Sequence, residues 1–238
     1  MLLHSAFKNK GESKYYHTTL QEEKNIAALL EFLKQHTNPE TEIIVADGGS
    51  TDATRSIAER AGAKVILCSG RGRAPQLNQG AAIAEGAVLY FLHADTYPPQ
   101  NFEASIKQAV RQGYSSGCFR LKFNTSHWFL NLNAWFTRFD VDALRFGDQS
   151  LFVTSEVFKQ IGGFREQMLL LEDQEIVKRL RKVTTFKVLG QYVTTSCRKY
   201  KQVGVYKLQA GYFLIYALYR LGFAQQRLVR VYTWLLHV

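Results

Sequence analysis

The chain has 238 residues, 46% of them hydrophobic and 13% aromatic, with only 4 prolines; this excludes a disordered or fibrous chain and allows one large core. Its net charge of +10 is unevenly spread: residues 176–238 hold 12 Lys/Arg and no Asp or Glu, whereas the first 175 hold 18 basic and 20 acidic side chains. That split points to an anionic partner: lipid headgroups, nucleic acid or a phosphorylated substrate.

Three cysteines, Cys68, Cys118 and Cys197, are odd in number and show no metal-binding spacing. They read as reduced thiols in a cytosolic protein, not as a disulfide scaffold. The opening MLLHSAFKNKGESK lacks a long apolar core and a cleavage pattern, so no secretory signal is expected.

Residues 22–35 put Ile26, Leu29, Leu30 and Leu33 on one helical face. A short buried strand is predicted over 42–46, then a helix capped by Ser50 or Thr51 and ending at Gly62. Strand 63–68, helix 74–85, strand 87–92 and helix 100–112 follow. This alternation predicts an α/β fold, a mainly parallel sheet with helices on both faces. Ligands of such sheets sit outside the carboxyl ends of the strands. After residue 113 the rhythm changes: a strand at 118–123, an amphipathic helix at 127–139, a strand with a short helix in 147–164, a helix at 172–182 and a strand at 187–194. Two helical patterns then meet near Gly222.

Four polar groups fall at strand ends. Asp47-Gly48-Gly49-Ser50 follows the second strand; its carboxylate and turn suit a nucleobase or ribose, and equally a plain turn with a helix cap. Arg71 and Arg73 lie on a glycine-rich loop that ends in a helix carrying Asn78. Guanidinium grips diphosphate in bidentate fashion, although loop arginines are commonly just solvated. His93 and Asp95 stand two residues apart, where an extended strand end would aim both the same way. Together they form a partial shell for Mn²⁺ or Mg²⁺, or else a strand residue and a turn cap before Pro98-Pro99. Glu172-Asp173 opens a helix, where acids suit the dipole and where a general base is also at home.

The motifs VADGGSTDAT, GRGRAPQLNQGA, LYFLHADT, FGDQSLFV, LLEDQEI and SCRKY together resemble family 2 inverting glycosyltransferases, in the small bacterial branch whose metal motif reads HAD. The resemblance covers about residues 13–235. It implies a GT-A domain over 1–202 with a C-terminal helical extension over 203–238, a UDP- or GDP-linked sugar donor and a divalent metal. By the same resemblance Asp47, with Gly48 and Ser50, contacts the donor's nucleoside. Asp95 is the last carboxylate of the metal motif, and His93 takes the place of its first. Arg71, Arg73, Asn78 and Arg198 lie along the donor, and Asp173, beside Glu172, is the catalytic base. The chain departs from the family at SKYYHTTLQEEKN, with Thr18 for a proline and Gln21 for an asparagine, in a stretch polar for a central strand.

Two rival readings are a degenerate nucleotide- or membrane-binding member of the same fold, and a nucleotidyltransferase. Nucleic-acid binding is not expected, because no RNA-binding motif accompanies the basic tail. That tail, rich in aromatics, reads either as an interfacial helix on an anionic membrane's inner face, within reach of a lipid-linked acceptor, or as a packing or homodimer contact.

Overall fold

The computed structural model describes residues 14–19 as backbone, and 22–70, 72–141, 144–145 and 147–236. In chain order the elements are β1 (Lys14–Thr19), α1 (Ile26–His36), β2 (Ile43–Asp47), α2 (Thr54–Arg60), β3 (Lys64–Leu67), α3 (Arg73–Ala82), β4 (Val88–His93), β5 (Thr96–Tyr97) and α4 (Phe102–Arg111). Then come β6 (Ser116–Phe123), α5 (Trp128–Phe136), a 3-10 turn (Gly147–Gln149), β7 (Leu151–Thr154), α6 (Ser155–Gln160), α7 (Glu172–Val183), β8 (Phe186–Thr195), α8 (Arg198–Val203), α9 (Val205–Arg220) and α10 (Gln225–Leu236).

The strands form one sheet in the order β3-β2-β1-β4-β7-β6-β8-β5. The first four run parallel, β7 is antiparallel to both neighbours, and β6 and β8 are parallel. The expected mixed, mainly parallel sheet is therefore present. Its two faces can be read from side-chain alternation. In β2, Ile43 and Val45 enter one core while Ile44 enters the other. In β4, Val88, Tyr90 and Leu92 join the first core, and Leu89 and Phe91 the second. Helices α1 and α4 cover the first face, α3, α6 and α7 the second. Because both faces are covered, β2 is buried along its whole length, as parallel interior strands are.

Three local details differ from the sequence expectation. The KYYHTT stretch, polar for a central strand, is nonetheless central, paired with β2 on one side and β4 on the other. Tyr and Thr are good strand formers, and pairing on both edges satisfies the backbone whatever the side chains. Helix α2 begins after Ala53, not at Ser50 or Thr51. Asp52 serves its N-terminus instead, accepting from the Thr54 N–H at 3.1 Å; the Thr54 hydroxyl bond above all, with this N–H, holds the Asp52 carboxyl below the usual range. Finally, β5 is only two residues long, too short for any periodicity. It pairs with the end of β8, where the Thr96 hydroxyl donates to that of Thr195 at 2.9 Å.

The C-terminal helices lie on the domain. Leu208 of α9 and Leu236 of α10 belong to the first core, and the Tyr200 hydroxyl of α8 donates to Gln209 Oε1 at 2.9 Å. The boundary expected after residue 202 lies within α8, one residue before its end.

Candidate active site

Parallel pairing brings three strand ends level. Thr19 of β1 is opposite Asp47 of β2, and Thr18 is opposite His93 of β4. The loop after β3 leads into α3 at Arg73. The site is thus assembled at the carboxyl end of the sheet, where open α/β sheets hold ligands.

Asp47 is fully buried. Its Oδ1 accepts from the N–H groups of Gly49, at 2.8 Å, and Ser50, at 2.7 Å. Its Oδ2 is buried with no partner among the described residues, an orphaned acceptor suited to an N–H or O–H donor of a ligand. The turn favours glycine at Gly49, with φ 102°, and a Cβ on Gly48 would push aside the Gln76 side-chain amide.

Arg73 touches two groups across the cleft and reaches a third through one of them. Its Nε lies 3.4 Å from the buried Glu172 carboxylate, and its Nη2 donates to the imidazole of His93. The other ring nitrogen of His93, Nδ1, lies 3.3 Å from Asp148 Oδ1. Burial alone would raise the Asp148 carboxyl, but the hydrogen bond and charge of His93, with Arg73 and Lys199, hold it below the usual range. The Arg73 guanidinium, which desolvation works against, is kept firmly charged by Glu172, Asp173, Asp148 and Asp95.

Asp95 is not on the strand. β4 ends at His93, and Asp95 sits in the following turn; its carbonyl accepts from the Ser196 N–H at 3.1 Å. This pins the turn beside α8, whose Arg198 donates to Glu22 Oε1 at 2.8 Å. The Glu22 bond, against some desolvation, raises the Arg198 guanidinium, with Asp95 adding to it. Burial and then the Asp148 charge push the Asp95 carboxyl up, against the pull of His93 and Arg198. Such a carboxylate is short of positive charge, and a cation would relieve it. No three His, Cys, Asp or Glu side chains among the described residues converge as a metal cage. Asp95 is thus a single carboxylate that any ion here would have to share with ligand oxygens and water. The expectation that His93 and Asp95 share a strand face is corrected: the strand stops between them, and His93 faces Arg73 and Asp148.

Glu172 and Asp173 open α7 and line one cavity with Arg73, His93, Arg145 and Gln149. Glu172 is buried against Arg73, while Asp173 is half-buried. Leu171, just before them, adopts the left-handed conformation with φ 62°, rare for leucine and seldom kept without a reason. The N–H groups of Leu169 and Leu170 both donate to Gln225 Oε1 at 3.0 Å, so the first residue of α10 holds this loop.

Arg71, an expected donor residue, lies outside the described residues, and a second, Asn78, is turned away from the donor. Asn78 spends its amide on Phe164, donating to its carbonyl and accepting from its N–H, each at 2.8 Å, and so clamps α3 to the loop after α6. Lys199, next to Arg198, donates to the Tyr232 hydroxyl and lies over its ring. Sequence reasoning missed Asp148, Glu22 and Gln225. Only Asp148 had a signal, an acid between a glycine and an apolar run in FGDQSLFV.

Residues 18–162 match the family model for Glycosyl transferase family 2. The chain belongs to that family. The structure is similar to TarS of S. aureus, at 17% identity and TM-score 0.65, covering 95% of this chain and 43% of TarS. It is also similar to mannosyltransferase PcManGT from Pyrobaculum calidifontis, solved with GDP-Man and Mn²⁺, at 15% identity and TM-score 0.70, covering 95% of this chain and 70% of that one. A third neighbour is glucosyl-3-phosphoglycerate synthase from Mycobacterium tuberculosis, solved with Mn²⁺, UDP and glucosyl-3-phosphoglycerate, at 16% identity and TM-score 0.56, covering 78% and 70%. The TM-scores of 0.56–0.70 show that this chain shares the fold of these glycosyltransferase structures, the GT-A fold expected from the sequence. The chain spans less than half the length of TarS. Sequence comparison with curated proteins gives no match.

Proposed function

We propose that this family 2 member transfers a sugar from a nucleoside-diphosphate donor to an acceptor hydroxyl, with inversion. The observation that carries the reading is the cavity shared by Arg73, His93, Glu172 and Asp173 at the carboxyl end of the sheet. The buried, unpartnered Oδ2 of Asp47 is the acceptor for the donor's base or ribose. Asp95 would hold a divalent ion, Mn²⁺ or Mg²⁺, which supplies Lewis-acid charge to the departing diphosphate.

Asp173 takes the proton of the acceptor hydroxyl as its oxygen bonds the anomeric carbon. The carbon–oxygen bond to the diphosphate breaks from the opposite side, and the nucleoside diphosphate leaves with the electron pair. Arg73 and Arg198 stabilise the charge it carries away. Glu172, buried against Arg73, fixes that guanidinium and is a positioning residue. Asp173 is the more accessible carboxylate of the pair, which favours it as the base.

Calorimetric titration with UDP and GDP, each with and without Mn²⁺, tests the donor site. One nucleotide should bind in a metal-dependent way, and the Asp95→Ala variant should lose that dependence. No binding of either nucleotide by the folded protein would defeat the reading. Metal-dependent binding without sugar transfer to any hydroxyl acceptor would instead favour the non-catalytic alternative.

A further inference from the structure

All three tryptophans of the chain are on the surface: Trp128 is 63% exposed, Trp135 43% and Trp234 75%. Tryptophan is normally among the more buried side chains, so its uniform exposure requires a cause. On α5 the outward positions are Trp128, Leu132, Trp135 and Phe136, followed one turn on by Phe139. That is the i, i+4, i+7, i+8, i+11 spacing of a single helical face, while Leu130 and Ala134 face the core. Helix α9 repeats the pattern, with Tyr206, Ala210, Phe213, Leu214 and Ala217 outward.

The two stripes are joined through the half-buried Phe129, whose ring lies 5.5 Å from that of Trp128 and 5.1 Å from that of Tyr206, with His127 6.0 Å from Tyr206. Segments some eighty residues apart in the chain thus form one apolar surface. An exposed patch of this kind marks a contact surface. Its edge is mainly cationic: Arg138 lies 4.4 Å over the Trp135 ring, Lys207 and Arg220 are exposed on α9, and the one exposed acid beside it among the described residues, Asp140, is paired with Arg181. From residue 198 to the end there are 7 Lys/Arg and no acid. A second copy seated on this face would set one cationic edge against another, which opposes pairing. Anionic headgroups supply the opposite charge, and tryptophan and tyrosine favour the headgroup layer. No described helix is long and apolar enough to cross a membrane, so contact lies along the surface.

We propose that the outward faces of α5 and α9 form one docking surface for an anionic lipid bilayer. The sequence alone suggested the basic tail; the structure adds α5 and makes the two one surface. The proposal is independent of the reaction, because none of these side chains lines the cavity.

The test is co-sedimentation with vesicles of phosphatidylcholine with or without phosphatidylglycerol, read together with tryptophan emission and quenching by brominated acyl chains. Binding to the anionic vesicles with a blue shift and quenching is expected. Trp128→Ser combined with Trp135→Ser should weaken it at least tenfold. The exposed pair Lys207→Glu and Arg220→Glu, which keeps every outward apolar side chain of α5 and α9, should do the same. An unchanged circular-dichroism spectrum and melting temperature in these variants would separate a lost docking surface from a lost fold. Equal binding to neutral vesicles, no binding at low salt, or a lipid-free dimer that shields the tryptophans would each overturn the proposal.

Discussion

Replacing Arg73 by methionine leaves the carboxylate of Glu172 without the guanidinium that lies 3.4 Å from it. The Glu172 side chain is 6% exposed, so water cannot take over from the lost partner. Breaking a fully buried pair costs about 3–5 kcal/mol. The Arg73 side chain is 45% exposed, which screens the pair, and the expected cost falls to about 1–2 kcal/mol. At this size that is roughly 2–4 °C in Tm per kcal/mol. Urea unfolding of the parent, Arg73→Met, Glu172→Gln and the double variant isolates the coupling. The double variant should be more stable than the sum of the single losses predicts, by about 1–2 kcal/mol. A coupling from the buried carboxylate should also outlast high salt better than a surface pair does. Losses that add to within about 0.5 kcal/mol would mean that the two groups do not interact, and the positioning role of Glu172 would go with them.

Asp173→Asn should lower turnover by about 10²–10⁴-fold, the usual contribution of a general base, while nucleotide affinity stays within twofold or so; full transfer activity would remove Asp173 from the role. Gln225→Leu takes the acceptor from the Leu169 and Leu170 N–H groups, so stability should fall by about 1–2 kcal/mol and turnover should fall more than donor affinity; unchanged kinetics would detach α10 from the base loop. Burial pushes the Cys118 thiol up to about 11, against the pull of Arg145. About one molecule in a thousand is then thiolate at pH 8, so Cys118 should resist a thiol-disulfide reagent in the native state and react on unfolding or as the pH nears 11. Rapid native reaction assigned to Cys118 by peptide mapping at pH 8 would contradict this.

Much of the fold is legible in the sequence, because its signals are local. The spacing of Ile26, Leu29, Leu30 and Leu33 fixes α1 and its buried face, and the apolar run ahead of Asp47 fixes β2 as an interior strand. The order of motifs carries the GT-A architecture, and Asp47, Arg73, Asp95, Arg198 and Asp173 were all singled out as residues. What the sequence could not show is which of them meet. Asp148 reaches His93 only because β7 inserts beside β4, a pairing that joins residues some sixty apart. The Arg198–Glu22 pair spans the chain almost end to end, and Gln225 holds the base loop through a helix that composition marked only as a basic tail. Asn78, beside two loop arginines, looked like part of the donor loop until packing turned its amide to Phe164. Periodicity and turn chemistry thus determined the elements and the residue types, since both are written in neighbours along the chain. The partners of each charge, and the union of α5 with α9 into one apolar surface, were decided by tertiary packing, because long-range pairing leaves no trace in local spacing.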